Sequence, residues 1–167
     1  SNSSVIICKG VGVVTILDDD LVPNVASISS TTISEGSIAT HTVSLTNGSK
    51  FPTEVDILLT NHGSNISSVS TVVNGVESTV VNPYVTNKIT LSPGLVNFNI
   101  KVATSKDGVY RGNTSYNVSA NIGGTIVSGI GIVTDEKDRP KISISSASAR
   151  EGDNLVFYVY LDKNTLI

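Results

Sequence analysis

Two stretches of this chain carry the same ordered set of features. Gly10 to Gly36 reads GVGVVTILDDDLVPNVASISSTTISEG, and Gly129 to Gly152 reads GIGIVTDEKDRPKISISSASAREG. Each runs Gly-x-Gly, an apolar run, a cluster of acids, a proline, an Ile-Ser-Ser segment and Glu-Gly. Gly10 and Gly12 answer Gly129 and Gly131; Asp18, Asp19 and Asp20 answer Asp135, Glu136 and Asp138; Pro23 answers Pro140. The second copy is shorter by three residues, two lost before the proline and one after it. A period of about 120 residues is too long for a solenoid unit and suits a string of β-domains.

Each copy therefore reads as the end of one β-module, an acidic linker and the start of the next. Residues 1–22 are expected to be the last strand and linker of a preceding module, residues 24–139 a complete module, and residues 141–167 the first two strands of a following one. The sequence has no methionine, which fits a piece of a longer chain. A unit of about 115 residues can bury a real core.

Within the complete module the apolar residues alternate, the mark of half-buried strands. The pattern predicts strand A over Val25–Ile33, B over Ile38–Thr46 and C over Glu54–Thr60. It places D over Asn87–Leu91, E over Val96–Thr104, F over Ser115–Ile122 and G over Ile126–Val133. Residues 61–86 read as an elaborated C–D connection, with a hairpin about Asn74-Gly75, a strong turn pair. Valine, isoleucine and threonine favour strands. Seven strands with short turns make an antiparallel β-sandwich of immunoglobulin-like shape, without the cysteine pair and tryptophan of true immunoglobulin domains.

The net charge of −3 gives no electrostatic footprint for nucleic acid. No apolar run reaches the roughly 18 residues of a membrane span. Cys8 is the only cysteine, so no disulfide can form within the chain, and it reads as a small strand hydrophobe.

In an up-and-down order the A–B and E–F loops, the C–D connection and the end of G fall at one pole. Glu35, Glu77, Asp107, Asp135, Glu136 and Asp138 are expected to converge there. Crowded carboxylates repel unless protonated or bound to a cation. Oxygen ligands without histidine or cysteine suit Ca²⁺ better than Mg²⁺, which keeps more of its water. The bland alternative is that the acids only keep an exposed linker solvated.

Strand G running into an acidic linker, with Glu-Gly after strand A, resembles the Calx-β motif. With LSPGLVNFNIKVAT, KDGVYRG and GIGIVTDE added, the chain resembles the Ig-like extender repeats of giant bacterial RTX adhesins, which leave the cell by type I secretion. The resemblance implies an extracellular, cell-surface spacer in which neighbouring modules of one chain are stiffened by Ca²⁺ at poles and junctions. A host or surface ligand would bind elsewhere in the full protein. The resemblance supports Glu35, Asp107, Asp135, Glu136 and Asp138 as ligands of the complete module, Asp18, Asp19 and Asp20 of the preceding pole and Glu151 of the following one. Where such repeats carry further acids after the Asp-Gly-Val-Tyr loop, this chain has Arg111-Gly112 and Thr114. Arg111 paired with Asp107 would stand in for a cation's charge, which implies fewer Ca²⁺ ions.

An enzyme is not expected. His41 and His62 are the only histidines; His41 falls on the inward face of strand B as a core residue, and no Gly-x-Ser-x-Gly elbow is present. The rival reading is a sugar- or protein-binding module that uses the 61–86 segment, with Tyr84 as its aromatic. The five Asn-x-Ser sequons would read as glycosylation sites in a eukaryotic secreted protein; with serine and asparagine this common, chance explains most of them, and under the bacterial reading they are silent.

Overall fold

The computed structural model describes residues 10–16, 21–60 and 66–163. Cys8, Asp18, Asp19, Asp20 and His62 lie outside the described residues. Residues 10–16 carry no strand and are exposed. Their valines and isoleucine have no neighbouring ladder among the described residues, and an unpaired strand is not stable alone.

Strands β1 (Val25–Ile28), β3 (Ile38–Leu45), β5 (Ile66–Val73), β6 (Val76–Thr79) and β8 (Asn97–Thr104) form one sheet, ordered β1-β3-β8-β5-β6. Strands β2 (Thr31–Ser34), β4 (Thr53–Thr60), β7 (Asn87–Leu91), β9 (Thr114–Ile122) and β10 (Thr125–Thr134) form the other, ordered β2-β10-β9-β4-β7. Alternate residues point inward, as the period of two demands. Val55, Ile57 and Leu59 from β4 meet Phe98, Ile100 and Val102 from β8 in one core. The chain is an immunoglobulin-like β-sandwich.

Three details depart from the expected seven strands. First, strand A is broken at Ser29–Ser30. Its first half lies on β3, and its second half crosses to the other sheet and pairs with β10 in parallel. Second, β5 takes a full place beside β8, so the hairpin about Asn74-Gly75 is part of the sheet rather than an elaborated loop. Both turn residues have positive φ, 50° and 78°, as a tight two-residue hairpin of this hand requires. Third, β7, expected as D, is the edge strand beside β4, in the sheet of β9 and β10.

The second Gly-x-Gly, Gly129 and Gly131, has a packing reason, whereas a Cβ on Gly10 or Gly12 would meet nothing within 4 Å. A Cβ on Gly131 would stand 2.0 Å from Cζ of Tyr116, its cross-strand partner, and one on Gly129 would stand 2.7 Å from Cγ2 of Ile28. The motif is the bed on which the Tyr116 ring and the strand crossing lie. The Tyr116 hydroxyl meets His41 Nε2 at 3.0 Å, and His41 Nδ1 lies 2.7 Å from the Ser29 carbonyl. A carbonyl only accepts, so Nδ1 holds the proton and Nε2 accepts from tyrosine.

Beyond the module, β11 (Ile142–Ile144) and β12 (Val159–Leu161) pair as an exposed antiparallel hairpin.

Candidate metal centre

The parallel register of β2 and β10 builds the site. Thr134 pairs with Ser34, so the next residues, Asp135 and Glu35, leave the same end of the sheet side by side. The Glu35 amide donates to Thr134 O at 3.0 Å and anchors that exit. Gly36 then turns with φ +76°, and its amide donates to the buried Thr104 hydroxyl at 3.0 Å. This explains the Glu-Gly pair: the glycine makes the turn and the glutamate is presented beside the end of β10.

On the other side the chain enters a single 3-10 turn over Glu136–Asp138. Residues three apart eclipse in such a turn, so Asp135 and Asp138 face the same way. One carboxylate oxygen from each of Glu35, Asp135 and Asp138 lies within 4.8 Å of the others. Asp135 is 6% exposed and Asp138 4%. Asp107 adds a fourth charge, felt at Glu35.

The positive groups nearby offset only part of this cluster's charge. The Arg111 guanidinium is turned to Asp107, as the sequence suggested, and its backbone amide donates to Asp135 Oδ2 at 2.7 Å. Lys163 Nζ lies 3.3 Å from Asp138 Oδ1. Glu35 Oε2, Asp135 Oδ1 and Asp138 Oδ2 are buried with no hydrogen-bond partner. The other orphaned buried oxygens among the described residues are on Asp56 and Asn121, and Asp56 Oδ1 has Lys88 Nζ at 3.4 Å. Unpaired carboxylate oxygens from three acids are thus gathered at one pole, with Lys163 paired to Asp138 through its other oxygen. Burial, reinforced by the charges of Asp135 and Asp107, pushes the Glu35 carboxyl above the usual carboxylate range. An all-oxygen donor set of this kind fits a hard divalent cation.

Other expected ligands lie elsewhere. Glu136 points outward, largely exposed, toward Arg139 at 3.5 Å. Asp135 and Asp138 face inward from the same turn, so one turn cannot present all three acids to one point. Glu77 sits on β6 and binds Lys101 and Ser70, because the hairpin is laid into the sheet instead of reaching the pole. Glu151 is exposed in a separate turn closed by Asp153 N to Arg150 O. Thr104 was missed by sequence reasoning, and a threonine ending an apolar alternation beside an A–B turn is the signal that marks it.

No protein-family model and no curated protein matches the chain. Among solved structures it is similar to the apo form of a Calx CBD1 domain, at 8% identity and TM-score 0.46, with 65% of this chain and 94% of that one covered. A non-cellulosomal cohesin from Archaeoglobus fulgidus matches at 12% identity and TM-score 0.38, covering 70% and 94%. The seventh ASH/PapD-like domain of human CEP192 matches at 10% identity and TM-score 0.23, covering 76% and 97%.

Proposed function

We propose that the chain is a structural spacer: one module of a tandem array in an extracellular bacterial adhesin, stiffened by Ca²⁺ at its pole. The observation that carries this is the set of orphaned, buried carboxylate oxygens where β10 leaves the sandwich for the acidic linker. Glu35, Asp135 and Asp138 would hold the ion, with Asp107 at the rim. When bound, the ion supplies charge neutralisation and ties the A–B turn to the linker. Without it, like charges face one another across a poorly solvated gap and push the turn and linker apart. The repeated motif extends the reading to an array, in which residues 1–22 and 141–167 belong to the neighbouring modules and the adhesive tip lies elsewhere.

The rival binding-module reading has less support. Within the 61–86 segment on which it depends, residues 66–79 are laid into the sheet, with Val69 and Thr71 buried. Tyr84, 43% exposed, is the aromatic it presents.

The test is calorimetric titration of EDTA-stripped protein with CaCl₂ at neutral pH. The reading predicts saturable binding in wild type and its loss in the Glu35→Gln, Asp138→Asn double variant. Equal heats in both, or no saturable heat in wild type, would refute it.

A further inference from the structure

The strand pairs that follow the two linkers are built alike beyond their sequence. In the module, Val25 pairs with Leu45 and Ile28 with Val43; in the hairpin, Ile142 pairs with Leu161 and Ile144 with Val159. Thr42 N donates to Ser29 Oγ at 2.8 Å, and Tyr158 N donates to Ser145 Oγ at 2.9 Å. Asn24 and Thr46 bond each other at the open end of the first pair, and Lys141 and Asp162 do so at the second. The residue missing after the second proline is accounted for: the first copy has a bulge between Val25 and Ser27, and the second has none.

This equivalence aligns Asn47 with Lys163, each the residue after the closing pair. Both side chains reach back to the linker. Asn47 Nδ2 donates to the carbonyl of Leu21 at 2.6 Å, and Leu21 stands two residues before Pro23. Lys163 Nζ donates to the carbonyl of Lys137 and lies 3.3 Å from Oδ1 of Asp138, which stands two residues before Pro140. The same place in the fold thus clasps the same place in the linker twice. At the first linker the clasp is neutral and ends on a backbone carbonyl. At the second it is a cation and ends on a carboxylate of the metal centre.

We propose that Lys163 is the built-in counter-ion of Asp138, a linker clasp in competition with the divalent cation for the pole, so that filling the site loosens the 141–163 hairpin from the linker. This rests on the metal reading above and adds its regulation. Two positive charges sharing one carboxylate repel through the protein more strongly than through water. The lysine side chain is 36% exposed while that of Asp138 is 5% exposed. The ammonium can therefore withdraw into solvent at small cost, whereas the carboxylate has no such escape. By linkage, whatever the clasp costs the ion, the ion costs the clasp.

The test compares Ca²⁺ affinity of the full chain with Lys163→Met and Lys163→Arg, and follows the Lys163 Cε–H resonance during the wild-type titration. Removing the charge is expected to tighten Ca²⁺ binding about tenfold, within the usual range of coupling between sites. The arginine variant, which keeps the charge, should stay near wild type, and the Lys163 resonance should move toward that of a free lysine as Ca²⁺ is added. Wild-type binding with an unchanged or weaker methionine variant, or an unmoved resonance, would overturn the clasp and leave the metal reading standing. No Ca²⁺ binding by any of the three would overturn both.

Discussion

The imidazole of His41 sits where the first strand leaves one sheet for the other, and it is held from both sides. It is fully buried, donates to Ser29 O and accepts from Tyr116, whose ring meets it edge-on at 5.6 Å. Burial lowers the His41 pKa from its ordinary 6.5 and raises that of Tyr116 to about 12. A base with a depressed folded-state pKa leaves the unfolded chain binding more protons, so stability rises with pH in that window. His41's contribution is complete above the ordinary 6.5 and is lost as pH falls toward the folded value. Thermal melts between pH 7.5 and 5.5 should therefore show a falling midpoint, and in His41→Gln that slope should flatten. Parallel slopes in the two proteins would contradict this account. The sequence placed His41 on the inner face of its strand by alternation alone. Its two partners were not legible, because Tyr116 is seventy-five residues away and Ser29 owes its position to a strand break.

At the scale of the strand, β10 shows how a motif legible as a repeat conceals its cause. Gly129 and Gly131 were visible as the start of a recurring pattern, and the structure shows that their missing side chains are the feature. The Tyr116 ring over Gly131 is fully buried and pinned by His41, so it cannot swing away from an added methyl. Gly131→Ala should cost about 3 kcal/mol or more, at the severe end for overpacking. Chemical denaturation reads this as a lower midpoint at unchanged slope, whereas Gly124→Ala, in an open turn, should show only the smaller cost of its positive φ. A Gly131→Ala loss no greater than that of Gly124→Ala would refute the packing argument. The long strands were legible because period two survives on the buried faces of β3, β4, β8 and β9. The sheet assignments of β5 and β7 were not, since alternation reports which residues turn inward and says nothing of which neighbour a strand joins.

Across the whole molecule, acids more than seventy residues apart in sequence are delivered to one pole by a parallel strand pair, a 3-10 turn and the loop after β8. The acidic cluster was legible because it recurs. Its inward and outward members were not, because Asp135 and Asp138 are separated from Glu136 by the three-residue period of a 3-10 turn that the sequence pattern did not announce. The central claim is that this pole is a Ca²⁺ site that stiffens the module. Its most direct test is thermal unfolding of EDTA-stripped protein with and without millimolar Ca²⁺, beside Asp135→Asn. Binding at a hundredfold excess over Kd adds about 2.7 kcal/mol, or about 10 °C for a module of this size. Wild type should show that rise. Asp135→Asn keeps an oxygen for the Arg111 amide and sheds a charge, so it should melt no lower than wild type without Ca²⁺ and gain little with it. An unchanged midpoint in wild type, or an equal rise in both proteins, would contradict the account.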